Sequence, residues 1–122
     1  MTASILTVDD SPSIRVAIKI ALSNAGYTVT EAANGAEGIE KAQAATFDMI
    51  ITDLNMPVMD GLTMIEEMRK LPDLMGVPIV FLTTESDASM KERAKAAGAT
   101  GWLTKPFDPE TLVRIAKKVL GR

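Results

Sequence analysis

Two spacings of apolar residues take turns along this chain. Short unbroken runs suit buried strands, and repeats every three or four residues suit amphipathic helices. Ser4–Val8 predicts a first strand, and Ser11-Pro12 opens a helix with a capping serine and a proline at the first helical position. Ile14, Ala17, Ile18, Ala21 and Leu22 fall at helical spacing as its expected buried stripe, and Gly26 is the stop. Thr28–Ala32 alternates as an edge strand does. Asn34–Ala44 predicts a second helix, weakly patterned around Ile39 and Ala42. Asp48–Asp53 is an apolar run that halts at a carboxylate, and Asp60-Gly61 starts a third helix carrying Leu62, Ile65, Met68 and Leu71. Pro78–Thr83 is another apolar strand. Asp87–Ala97 predicts an alanine-rich fourth helix, with Met90, Ala94 and Ala97 inward and Gly98 as its end. Thr100–Thr104 is a short fifth strand. Asp108-Pro109-Glu110 then caps a last helix with Leu112, Ile115, Ala116, Val119 and Leu120 inward.

Five strand–helix pairs in strict alternation, with no linker or repeat, predict an α/β fold: a doubly wound parallel sheet with helices on both faces. The first, third and fourth strands read as uninterrupted apolar runs and belong inside the sheet. The second and fifth are more polar and belong at its edges. The expected order is 2-1-3-4-5, which reverses direction between strands 1 and 3, where ligands gather at the carboxyl ends. A single domain over residues 1–122 is expected.

Hydrophobic residues make up 47% of the 122 and charged residues 24%, enough for a real core. The runs ILTV, DMIIT and PIVFL are far below the ~18 residues that span a bilayer, and no basic region followed by a long apolar stretch opens the chain. The expectation is a cytoplasmic protein without a membrane partner. Absence of cysteine excludes disulfides, thiolate chemistry and zinc–cysteine sites, and absence of histidine removes the commonest general base. A net charge of −3 and a pI near 4.9 lack the footprint of a nucleic-acid binder.

The chemistry sits at the strand ends. Strand 1 ends in Asp9-Asp10, strand 3 in Asp53, strand 4 in Thr83-Thr84, and Lys105 follows strand 5 at once. The topology thus delivers three carboxylates, two hydroxyls and an ammonium to one edge of one sheet. Hard oxygen donors at that density suit magnesium, and without a cation the carboxylates repel one another. A carboxylate nucleophile can accept a phosphoryl group as an acyl phosphate, and such transfer needs positioning and charge stabilisation more than a histidine base. Any one of these aspartates is also readable as a cap or turn residue, as Asp10 is before the first helix. The convergence of the whole set is what points to a site.

Asp9-Asp10, the run Asp53-Leu54-Asn55-Met56-Pro57 with Met59-Asp60-Gly61, Thr83, and Lys105-Pro106-Phe107 together resemble the response-regulator receiver family. Within it, the chain is similar over its whole length to single-domain, CheY-type chemotaxis members. The resemblance implies a flavodoxin-like (βα)5 fold with Asp53 as phosphoacceptor. Asp10 and Asp53 would ligate Mg2+ with the backbone carbonyl of Asn55, and Asp9 would act through a metal-bound water. Thr83 matches the hydroxyl that moves to the phosphoryl oxygens, Lys105 matches the ammonium that pairs with the phosphoryl group, and the family also implies a cis bond between Lys105 and Pro106. Trp102 takes the place of an aromatic, tyrosine in the best-known chemotaxis members, that turns inward on activation. A static indole packed on Lys or Arg stems is the plainer reading of the same residue. Asn55 and Glu85 match positions that tune hydrolysis, although loop residues are commonly polar without such a role.

The implied partners are a CheA-type histidine kinase or a phosphotransfer domain on the input side. On the output side is a downstream protein bound by helix 4, strand 5 and helix 5, with the flagellar motor switch as one candidate. Asp87 and Ala88 stand where motor-binding relatives carry basic residues. Independently of the family, Val16 and Ile20 project opposite the first helix's core stripe and, with Pro106, Phe107 and the loop Met56–Met59, suit docking of the phosphate donor. Scattered exposed apolar side chains are also normal. Only Gly121 and Arg122 follow Leu120, so the expectation is a monomeric, stand-alone regulator without an effector domain. Beyond self-phosphorylation from small donors and self-dephosphorylation, no enzyme activity is expected. A phosphate sink or relay intermediate is the alternative. A dehalogenase-type phosphatase would need an acid at Asn55, and a flavin domain's phosphate would be repelled by Asp9-Asp10.

Overall fold

The structure is a computed structural model that describes residues 3–54, 56–83 and 88–121, with the backbone alone for Ala88 and Met90. Its strands are β1 (Ser4–Val8), β2 (Thr28–Ala32), β3 (Met49–Asp53), β4 (Ile79–Thr83) and β5 (Gly101–Thr104). The helices between and after them are α1 (Pro12–Asn24), α2 (Gly35–Ala44), α3 (Gly61–Met68), α4 (Ala88–Ala97) and α5 (Pro109–Leu120). All strand pairs are parallel and the order is β2-β1-β3-β4-β5, as the sequence predicts. Asp87, Thr84, Glu85 and Asn55 lie outside the described residues. A 3-10 turn at Pro72–Leu74, with no counterpart in the sequence reading, links α3 to β4.

Side chains alternate across a strand, so each interior strand feeds two cores. Leu6, Val8, Ile50 and Phe81 meet Met64, Ile65 and Met68 of α3 and Ala94 of α4 on one face. Ile5, Met49, Ile51, Val80 and Leu82 meet Ile18 and Leu22 of α1 and Leu112 and Ala116 of α5 on the other. β3 and β4 are buried at every position, which is what their continuous apolar runs require. Ser11, Asn34, Asp60 and Asp108 accept backbone N–H groups at the starts of α1, α2, α3 and α5, so each helix begins at a true cap. The Thr111 backbone N–H and hydroxyl both donate to Asp108 and hold its carboxyl below the usual range. No helix among the described residues is long and apolar enough to cross a bilayer.

Two expectations about helix faces need correction. Ala17 is exposed, not part of the stripe on α1, because Ile18 and Leu22 alone reach full burial and Ile14 and Ala21 flank them. On α3, Met64 is fully buried and was absent from the expected stripe, and Leu71 lies beyond the helix end. The weak pattern of α2 also has a physical explanation: its contact face is glycine. A Cβ on Gly38 would stand 2.9 Å from Met64 Sδ and 3.1 Å from Val8 Cγ2.

At the end of the sheet remote from the strand-end carboxylates, Arg69 acts as a clasp. Its guanidinium donates to the carbonyls of Gly98 (3.0 Å), Leu74 (2.6 Å) and Met75 (3.1 Å). Gly98, at φ +114°, ends α4 against the Arg69 stem, where a Cβ would meet Arg69 Cγ at 2.6 Å. The connection after α3 and the end of α4 are thereby fastened together.

Thr7 is fully buried in β1, and its hydroxyl has no hydrogen-bond partner among the described residues. A buried hydroxyl without a partner costs about 1–3 kcal/mol. Thr7→Val, which keeps the shape and removes the polar atom, should therefore raise stability by about 1 kcal/mol. The check is the urea midpoint at unchanged m-value. A lower midpoint would mean that the hydroxyl is satisfied after all.

Candidate functional site

The carboxyl ends of β1 and β3 carry the acidic cluster. Asp9 is completely buried and is held through every polar atom. Its N–H donates to the Ala32 carbonyl (3.0 Å), its carbonyl accepts from the Arg15 guanidinium, its Oδ1 accepts the Ser11 N–H (2.9 Å), and its Oδ2 faces Lys105 Nζ at 3.3 Å. Asp10 is exposed beside it. The N-cap of α1 is Ser11, so Asp10 is not spent on capping. Asp53 ends β3 at 7% exposure, with Oδ1 accepting the Leu54 N–H at 2.8 Å and Oδ2 lying 3.4 Å from Lys105 Nζ. Carboxylate oxygens of Asp9, Asp10 and Asp53 lie within 4.8 Å of one another.

Opposed forces act on Asp53. Burial pushes its carboxyl above the ordinary range, the Lys105 ammonium pulls it down, the Asp9 carboxylate pushes it up again, and the Leu54 N–H lowers it. The net direction is upward because burial, the largest of these effects, outweighs the attraction of the Lys105 ammonium. Three hard oxygen donors in that space, with excess negative charge, fit a small divalent cation. Asp9, Asp10 and Asp53 are the residues that could hold it.

Backbone packing fixes the end of β3 at Asp53. Gly61, the first residue of α3, donates its N–H to the Leu54 carbonyl at 2.9 Å. A Cβ at that position would lie 2.1 Å from the Asp53 carbonyl oxygen, so no other residue permits this approach. The β3–α3 loop is tied a second time where the Gly35 N–H donates to the Met59 carbonyl at 3.1 Å. Between the two ties Val58 is 84% exposed at φ +68°, a conformation that β-branched residues rarely adopt.

On the far side of Asp53, Thr83 ends β4 with 1% exposure, and its carbonyl accepts the Lys105 N–H at 2.8 Å. The Lys105–Pro106 bond is cis. Trp102 on β5 points outward at 47% exposure, its ring 4.5 Å from Lys91 Nζ and 6.4 Å from the Phe81 ring. Val16 and Ile20 stand 50% and 57% exposed on α1. Pro106 is also exposed, but Phe107 is partly buried against the α1–α5 core and so contributes less to any shared patch. Of the positions named from sequence, Asp9, Asp53 and Lys105 are brought into contact and Asp10 stands beside them. Asn55 and Glu85 lie outside the described residues. Arg15, which grips the Asp9 carbonyl, was not anticipated. A cation six residues after Asp9 was the available signal.

The sequence profile described as "Response regulator receiver domain" matches residues 5–117. The chain is 40% identical to chemotaxis protein CheY1 of Helicobacter pylori (strain 26695), over 96% of each chain. It superimposes on the chemotaxis response regulator CheY4 of Vibrio cholerae with a TM-score of 0.95 at 48% identity, covering 98% of this chain and 100% of that one. The receiver domain of sensor histidine kinase PA1611 from Pseudomonas aeruginosa, solved with a magnesium ion in its active-site cleft, matches at TM-score 0.92 and 32% identity over the full length of both. Against the probable transcriptional regulator ycf29 of Porphyra purpurea, at 34% identity, the chain spans only 58% of the relative's length. Sequence and fold therefore agree from end to end, and the chain belongs to the response regulator receiver domain family.

Proposed function

We propose that this chain is a phosphorylation switch in two-component signalling, with Asp53 as the residue that accepts the phosphoryl group. The observation that carries this reading is the Lys105 ammonium set between Asp9 and Asp53, at 3.3 and 3.4 Å, on the edge where a third carboxylate also points. An oxygen of Asp53 attacks phosphorus, and the phosphorus–nitrogen bond of a donor phosphohistidine breaks with the electron pair leaving on nitrogen. Asp10 and Asp53, with the backbone carbonyl of Asn55, would hold Mg2+, with Asp9 reaching it through water. When bound, that ion offsets negative charge on the transferring oxygens. Lys105 neutralises the phosphoryl group on one side, and the Thr83 hydroxyl donates to it on the other. Asn55 and Glu85, each two residues beyond Asp53 and Thr83 in the sequence, are the candidates for tuning how readily water hydrolyses the acyl phosphate.

Phosphorylation adds about −1.5 to −2 charges beside Lys105 and Thr83. Displacement of Thr83 opens space behind β5, into which Trp102 can turn from its place beside Lys91. The responding surface is α4, β5 and α5. Residues 88–122 carry eight Lys or Arg against three Asp or Glu, whereas residues 1–87 carry five against thirteen. Arg93, Lys95, Arg114, Lys117 and Lys118 are exposed on this part of the chain. Such a face selects an acidic protein segment as its partner, and chemotaxis is the setting favoured by its full-length relatives.

Acetyl phosphate with Mg2+ should add one phosphate to the wild-type protein by intact-mass spectrometry and none to Asp53→Asn. Equal uptake by the variant would remove Asp53 from the reaction. The same variant tests the electrostatics. Because burial raises the folded-state pKa of Asp53 above 3.8, its ionised form costs stability. That cost is absent below the ordinary carboxyl pKa, grows as pH rises through the raised folded value, and is fully present at neutral pH. In EDTA at pH 7, Asp53→Asn should melt a few degrees above wild type, with the difference shrinking as pH falls toward 4. A variant that melts lower at pH 7 would contradict the sign. For the input side, replacing Val16 and Ile20 with serine should slow phosphoryl transfer from a histidine kinase about tenfold and leave acetyl phosphate uptake unchanged. Equal slowing of both reactions would eliminate α1 as the docking surface.

A further inference from the structure

The peptide that joins the two adjacent aspartates just after β1 is gripped from outside the pocket. Arg15, one turn into α1, donates through Nη1 to the Asp9 carbonyl, and its Nε pairs with Glu31 Oε1 at 3.2 Å. Glu31 lies on β2, where Lys19 reaches its other oxygen at 3.8 Å and Lys41 donates to its backbone carbonyl. The Arg15 side chain is 17% exposed, so most of this clamp is shielded from water. The Asp9 N–H is already fixed by the Ala32 carbonyl. Holding the Asp9 carbonyl as well determines the plane of the Asp9–Asp10 peptide, and that plane sets where the Asp10 side chain leaves the backbone. Among the described residues, no hydrogen bond holds the Asp10 carboxylate itself.

We propose that Arg15 is a positioning residue for the acidic pocket: through the Asp9 carbonyl it aims the Asp10 carboxylate at a divalent cation shared with Asp53, and Glu31 keeps the guanidinium in place. This rests on the reading that the pocket takes such a cation. The assignment makes a distinctive statement about sign. Arg15 is a positive charge close to a cation site, so Coulomb repulsion alone would have its removal tighten metal binding. Positioning requires the opposite. Partners that orient ligands from outside a metal site typically contribute 10–100-fold in affinity.

The test is titration of the metal-free protein with MgCl2 by isothermal calorimetry, with circular dichroism to establish that each variant is folded. Arg15→Met should weaken Mg2+ binding about 10-fold. Arg15→Lys keeps the charge but can reach either the carbonyl or Glu31, not both, and should weaken it by at least about 3-fold. Lys19→Met, which removes a neighbouring cation without touching the peptide, should leave affinity unchanged or slightly raised. If Arg15→Met does not fold, Arg15→Lys decides alone. Unchanged or tighter binding in a folded Arg15 variant overturns the positioning role while the metal site stands, and so does equal weakening by Lys19→Met. No binding to wild type at millimolar Mg2+ overturns the metal site and the proposal with it.

Discussion

A single ammonium group lying between two acids from different strands is the constraint around which this molecule is organised. Asp9 and Asp53 end neighbouring parallel strands, so the topology forces them together at the point where the sheet reverses direction. Two buried carboxylates a few ångströms apart repel each other in a medium that screens poorly. Lys105, delivered by the edge strand β5 across the intervening β4, is the described cation that meets both. With Asp10 beside them, three clustered carboxylates face that one ammonium, so negative charge is in excess. A site left short of positive charge at rest is a site prepared to receive a cation, and this is a property of the fold as much as of any one residue.

Around that charge cluster the backbone is held with little tolerance. Gly61 brings the start of α3 so near the Asp53 carbonyl that this helix and the end of β3 form one block. Gly35 ties the intervening loop to α2, and Arg15 ties the acidic pair to α1 and, through Glu31, to β2. The helices on this side therefore do more than cover apolar strands. Each has one end fastened to a segment beside the acidic cluster, so the side chains there stand on anchored backbone.

The sheet was readable from sequence because β3 and β4 run apolar up to their last residue or two and β1 is apolar through Ile5-Leu6, whereas the edge strand β2 alternates polar and apolar positions. The acidic site was readable for the same reason: a carboxylate that ends an apolar run can only lie at the sheet's rim. Helix faces were less legible. Ala17 has too little side chain to mark a face, and its neighbours Ile14 and Ile18 bias the apparent stripe toward it. The contact face of α2 is glycine, which hydrophobic periodicity does not register, although the close approach to Met64 and Val8 depends on it. Arg15 and Arg69 escaped notice because each serves main-chain carbonyls, and nothing in the sequence shows where a carbonyl will point.

The chain contains one tryptophan, and it stands where α4 meets β5, with an ammonium 4.5 Å from its ring and a phenyl ring 6.4 Å away. Indole emission is quenched and shifted by nearby charge and by water. All tryptophan fluorescence from this protein therefore originates at a single spot on the basic face, and the spacing between helix and strand there is accessible by spectroscopy with no label attached.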